Sequence, residues 1–378
     1  MKLVAFLTIV LFAASLQAAS LVNGFFQINS GVDANIAHFS EDGESIFFQD
    51  RKETQITDLD GNTILSMAAS NEDTYFGSVG LRGCEDYLAV GANADVDGST
   101  AVRIYKTDGS LLQILKPSPV VGTYGDIHRL QFNKDCTKLL ISGYAPTTLP
   151  ADDFYKIVRI YDVLSGKLIY SKDFTDDINT VVSNDDLTKL VILGWQTFSV
   201  IEVSSDQTIY EHKFSINVSD IYGTFMPGTN NFVTVTEEGF MLHDLDAGKK
   251  VAEWASPVEP NLMGNNDVQV FPTDPRIIVT KSHKEIILFN VATQDFKVLP
   301  TSFDSYVQFF CINKDATKIL AVGQRDQPSL IDIASGKIDR PFEIETAGWL
   351  HDCDISKDAS HAVIAGYQGV RLYTLPTK

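Results

Sequence analysis

The chain of 378 residues carries 30 Lys and Arg against 49 Asp and Glu, a formal charge of -19, with 44% hydrophobic residues and four Cys. The hydrophobic share is that of an ordinary globular domain. The acidic excess repels nucleic acid and anionic lipid, which excludes both as partners, and the even scatter of charge argues against an acidic tail or disordered arm.

The N-terminus opens with Lys2, runs apolar from Leu3 to Leu16 and ends in Ala18-Ala19, the pattern of a secretory signal peptide. The apolar run is shorter than the ~20 residues a membrane-spanning helix needs, and no later stretch is apolar enough to insert. Cleavage is expected after Ala18 or Ala19. Residues 1–19 are then the signal, and 20–378 a soluble, monomeric, secreted domain, periplasmic if the source is bacterial.

From residue 39 onward one phrase recurs as strand, polar turn, strand. It reads Phe39-Ser40-Glu41-Asp42-Gly43-Glu44-Ser45-Ile46, then Phe132-Asn133-Lys134-Asp135-Cys136-Thr137-Lys138-Leu139, and returns at Ser183 to Leu190, Ile312 to Ile319 and Ile355 to Ala362. Weaker copies sit at Leu81 to Tyr87, Phe225 to Phe232 and Phe271 to Ile277. The turn positions 42, 83, 135, 186, 228, 274, 315 and 358 are separated by 41, 52, 51, 42, 46, 41 and 43 residues. A period of ~40–50 residues marks a propeller or an array. Each copy continues into a third strand that closes on a small-and-acidic turn, clearest as Asp162-Val163-Leu164-Ser165-Gly166-Lys167 and Asp332-Ile333-Ala334-Ser335-Gly336-Lys337. A fourth short strand such as Leu168-Ile169-Tyr170 follows, and four strands make one blade. The expected fold is therefore all-β: a single β-propeller of eight four-stranded blades, with seven as the alternative. The last copy ends after its third strand, Val370 to Leu375, while Gly24 to Asn29 has strand character without a repeat of its own. Those residues are expected to close the ring and remove an open edge that would invite aggregation.

The Asp-x-x-Ser-Gly-Lys and Ser/Asn-x-Asp turns resemble those of the WD40-like and quinoprotein-like propellers over roughly residues 24–375. The Gly-His and Trp-Asp dipeptides of WD40 blades are absent, with Tyr161-Asp162 the nearest match. Leu245 to Trp254 resembles a quinoprotein blade-docking motif, with Trp254 in the docking place. One blade, running from Phe76 through Leu88-Ala89-Val90-Gly91-Ala92 to Tyr105, is similar to an FG-GAP (integrin-α-like) blade, which agrees with export.

Within that blade Asn93-x-Asp95-x-Asp97-Gly98 has the oxygen spacing of a calcium loop, although the ninth and twelfth positions are Ala101 and Ile104. Asn93, Asp95 and Asp97 are the candidate ligands, and calcium is the one cofactor the residues suggest. The seven His show no metal spacing and no nucleophile elbow is present. His128 and His351, near the start of inner strands, are candidates to face the channel. Asn217-Val218-Ser219 is a glycosylation sequon. Cys84 and Cys136 occupy equivalent repeats, and Cys311 and Cys353 lie on neighbouring inner strands offset by one residue, the parity a bridge between blades requires; free thiols are the other reading.

The long steps arise from insertions at Gly91 to Thr100, Lys116 to Asp126 and Gly143 to Lys156, on connections that a propeller gathers on one face. They bring Tyr124, Tyr144, Phe154 and Tyr155 beside Asp152 and Asp153, aromatic anchors rimmed by carboxylates. The expected function is a secreted, non-catalytic scaffold that binds an extracellular protein or glycan through the loop face of blades two and three. The alternative is a propeller hydrolase or lyase working at the central channel.

Overall fold

The computed structural model describes residues 25–375 except 31–33, 41, 51–52, 69–81, 85–86, 93–98, 107, 119–125, 147–153, 175–177, 195, 215–220, 259, 261–267, 324–325, 340–341 and 343–349. Among the described residues there is no helix, and the strands form eight antiparallel four-stranded sheets. Numbered in chain order, blades one to seven span 34–68, 82–115, 126–174, 178–213, 222–255, 268–300 and 307–339. Blade eight joins 350–374 to Phe25–Ser30. The first strands of neighbouring blades touch around the axis, and the fourth strands lie outside.

Burial follows strand position. Second strands, covered on both faces by adjacent blades, read as unbroken apolar runs: Leu190, Val191, Ile192 and Leu193 are all buried. Outer strands keep only alternate residues partly covered, as in Gln207–Lys213. The recurring first turn is held by its leading Asn. Asn133, Asn184 and Asn313 each accept from the backbone N–H of a Lys five residues on and donate to a Thr four residues on. In the second turn, the Asp162 and Asp332 carboxylates accept from the N–H and hydroxyl of Ser165 and Ser335. Gly166 and Gly336 follow at positive φ, where a Cβ is disfavoured.

The expected closure is observed with a shift of one residue. Phe25–Ser30 pairs antiparallel with Gly369–Thr374, so the N-terminal strand is the outer strand of blade eight. Both cysteine pairs are disulfides with Cα separations of 6.1 Å, Cys84 with Cys136 and Cys311 with Cys353. They tie blade two to blade three and blade seven to blade eight. Trp254, on the outer strand of blade five, packs on Phe289 of blade six at 5.0 Å between ring centroids, which is a docking contact between blades.

One expectation needs correction. Gly143 to Lys156 is not simply an inserted loop: Lys138–Pro146 and Phe154–Asp162 are strands of nine residues each, where the middle strands of most other blades have six. The insertion lengthens a hairpin, because the alternating residues there satisfy each other's backbone across the ladder from Lys138↔Asp162 to Pro146↔Phe154.

Candidate functional site: the loop-face mouth and the blade-three hairpin

The hairpin of blade three is the longest among the described residues and is braced sideways. Tyr144 and Lys156 face each other across its ladder and point together at blade four. The Tyr144 hydroxyl donates to Ile178 O at 3.1 Å, and the buried Lys156 Nζ donates to Asn179 O at 3.0 Å while lying 4.6 Å from the Tyr144 ring centroid. His128 closes the other side edge-on, 5.0 Å from the same ring. Tyr144 is thus an interblade brace. Tyr155, opposite Ala145, alternates to the other face of the hairpin and is half-buried; Phe154 opens the same strand opposite Pro146. Tyr124, Asp152, Asp153, Asn93, Asp95 and Asp97 lie outside the described residues, as do the signal segment and the sequon.

The roots of the other insertions do meet blade three. Lys116 Nζ donates to Ser99 Oγ at 2.8 Å, joining the two connections of blade two at their bases. From blade three, Tyr161 Oη donates to Lys116 O and Arg159 Nε to Pro117 O, each at 3.1 Å. Arg159 is only 4% exposed, and its Nη2 also pairs with Asp173 at 2.6 Å. The phrase Val158-Arg159-Ile160-Tyr161 recurs as Val102-Arg103-Ile104-Tyr105 and Val370-Arg371-Leu372-Tyr373, each with a buried Arg on a third strand. That recurrence was the signal in the sequence for a clamp that motif searching for catalytic sets passes over.

The inner strands share a second feature. In blades one, three, four, seven and eight the pairing register slips by one residue near the loop-face end, leaving Asn35, His128, Asn179, Gln308 and His351 as bulges. Bulges re-aim side chains and gather at rims and mouths. His128 is exposed, and His351 stacks edge-on to Tyr367 at 5.1 Å. The backbone at two bulges is capped from the preceding blade by a buried lysine. Lys156 serves Asn179 O, and Lys281, wholly buried, serves Val307 O at 3.2 Å and Gln308 O at 2.5 Å. Asn179 Nδ2, Gln308 Oε1 and Gln131 Oε1 are buried without a protein partner, the kind of group that an internal water commonly serves.

Deeper in the channel His38 of blade one stands between two carboxylates of blade eight, Nε2 3.2 Å from Asp352 Oδ2 and Nδ1 3.7 Å from Asp354 Oδ2. Burial pushes the Asp352 carboxyl up, against the opposing pull of His38 and the Ala37 N–H. Both carboxylates also accept from the edge backbone of blade one, Asp352 from Ala37 N at 3.2 Å and Asp354 from Phe39 N at 3.0 Å. Those bonds use the carboxylates to seal the seam where the ring closes. Among the described residues no group of three or more His, Cys, Asp and Glu is arranged to hold a metal ion.

The comparisons with known proteins bear on the fold. No family profile and no curated protein matches the chain. Among solved structures, the C-terminal WD40 domain of Sif2 superposes with a TM-score of 0.67 at 12% identity, over 95% of this chain and 100% of that one. The fold is that of a WD40-type propeller. At such identity the likeness concerns architecture, and it fits a chain in which several blades carry the turn chemistry of WD40-like repeats without their signature dipeptides.

Proposed function

We propose that the protein is an exported, non-catalytic scaffold that binds a protein partner bearing basic residues through the loop face of blades two and three. The observation that carries this reading is the blade-three hairpin, longer than its counterparts and locked to blade four by Tyr144 and Lys156. A protrusion on a rigid support is where recognition usually resides, and WD40-type propellers are commonly interaction scaffolds. Asp152 and Asp153, which precede Phe154 and Tyr155 in the chain, are proposed to supply charge, and the two aromatic residues apolar anchors, for such a partner. Export is supported by the apolar N-terminal run and by two disulfides between blades, since such bridges persist in oxidising compartments. Asn93, Asp95 and Asp97 are proposed to bind calcium, on the spacing of their side-chain oxygens along the chain.

Affinity capture from the native secretion, with the mature protein as bait, tests the reading. A partner retained by the wild type should be lost, by ~1–3 kcal/mol per anchor, with Phe154→Ala and Tyr155→Ala. Retention at full affinity by the double variant would remove this face from consideration. Intact mass of the secreted protein should show a chain beginning near residue 19 or 20.

A further inference from the structure

A cleft of about 850 Å3 opens between blades six and seven, with Asp358 and Ala359 of blade eight adding to its lining, at the end of the blades where first strands turn into second strands. Phe271, Leu288 and Ile333, members of the apolar core shared by these blades, form its floor, and Asp295, Asp358 and Lys297 stand at its rim. One register position on the outer strands contributes to its shape. Opposite Ile160 in blade three and Val200 in blade four stand Tyr170 and Tyr210. The Tyr170 hydroxyl donates to Asp206 in blade four, and that of Tyr210 pairs with His243 in blade five, so a ring roofs each interblade core. The matching position in blade six, opposite Leu288, is Lys297. Its Nζ reaches across to Ile333 O at 2.5 Å and Ala334 O at 3.1 Å, and an aliphatic stem covers less core than a ring.

We propose that this cleft receives an extended peptide segment of a partner in which lysine or arginine alternates with aliphatic residues. The volume lies within the ~300–1,000 Å3 of ligand sites, and the floor suits aliphatic side chains. The charge at the rim selects the rest. Lys318 is paired with Asp332 at 3.1 Å, and Lys297 is bound to the two carbonyls. That leaves Asp295 and Asp358 as lining carboxylates that neither lysine neutralises. The N–H and hydroxyl of Ser360 and the hydroxyl of Ser356 donate to Asp358 and hold its carboxyl down at about 2, so that it stays ionised. The charge of -19 on the chain adds long-range attraction for a cation. This site lies away from the Pro146–Phe154 end of the blade-three hairpin and stands independently of the function proposed there.

The test is fluorescence anisotropy on the full mature protein with a labelled acetyl-Leu-Lys-Leu-Lys-Leu amide, against the same peptide with Glu in place of Lys. The lysine peptide should bind saturably and the glutamate peptide at least tenfold more weakly. Lys297→Tyr, which supplies the roof found in blades three and four, should cut binding at least tenfold while leaving the thermal midpoint in place, and Asp295→Lys should cut it three- to tenfold. Should Lys297→Tyr fold poorly, Ala334→Trp fills the cleft from an exposed position on the opposite bank and should have the same effect. Absence of saturable binding by the lysine peptide, equal binding of both peptides, or full affinity in a folded cleft-filling variant would overturn the proposal.

Discussion

Lowering the pH should weaken this protein through one buried imidazole. His243 sits on the third strand of blade five with no exposed surface, its Nδ1 3.2 Å from Tyr210 Oη and its Nε2 3.0 Å from Thr234 Oγ1. Phe198 packs edge-on at 4.6 Å, and His212 lies 5.2 Å away. Burial is the main reason its pKa falls to about 3, with His212 and Lys250 adding repulsion, against an unfolded value of 6.5. Because the native value lies below the unfolded one, the unfolded chain binds a proton that the native chain refuses. Stability is therefore full above pH 6.5 and declines as the pH falls toward 3. The slope is about 1.4 kcal/mol per pH unit, so about 2 kcal/mol is gone at pH 5 and between 4 and 5 kcal/mol below pH 3. With an unfolding entropy of about 2.1 cal/mol/K per residue, the loss at pH 5 lowers the midpoint by about 3 °C. The assay is urea unfolding of wild type and His243→Gln at steps from pH 7.5 to 4.5. Carboxylates titrate alike in both proteins, so the difference between the two curves isolates the imidazole, and it should shrink steadily below pH 6.5. Parallel curves would refute the buried neutral ring.

Three other outcomes follow from the geometry. Deleting residues 25–30 should leave the Gly369–Thr374 edge unpaired and promote aggregation, read by light scattering; unchanged scattering with the same thermal midpoint would contradict the closure. Replacing Cys311 and Cys353 by Ser opens a bridge of sequence separation 42 and should cost about 4 kcal/mol in the chain-entropy account, or about 5 °C in midpoint. Tyr144→Phe removes the hydroxyl that serves Ile178 O and should lower stability by about 1 kcal/mol in urea, with little change in binding of any partner that contacts the hairpin tip.

What the sequence settled by itself was local and repetitive. The turns are held by side chains within five residues of each other, such as Asn133 with Thr137 and Lys138, so each blade writes its own punctuation and the period of the fold can be counted. The orphan strand at Phe25 and the parity of Cys311 and Cys353 follow from that count, since a ring with a missing strand must take it from the other end. The site was less legible. Gly143 to Lys156 lacks the turn residues of the repeat and reads as a loop, yet Gly143–Pro146 and Phe154–Lys156 at its two ends pair in a ladder, which depends on register between two segments rather than on either alone. Whether Tyr144 is an anchor for a partner or a brace for blade four depends on Ile178 O, a carbonyl 34 residues away. His38 and Asp352, separated by more than 300 residues, meet only because the ring closes. The bulges, the buried lysines that cap them, the burial of His243 and the cleft left by Lys297 all arise where one blade packs on the next. Side chains there are sorted by which face of a strand they occupy, and a one-residue slip in pairing reverses that face; only the assembled ring sets it.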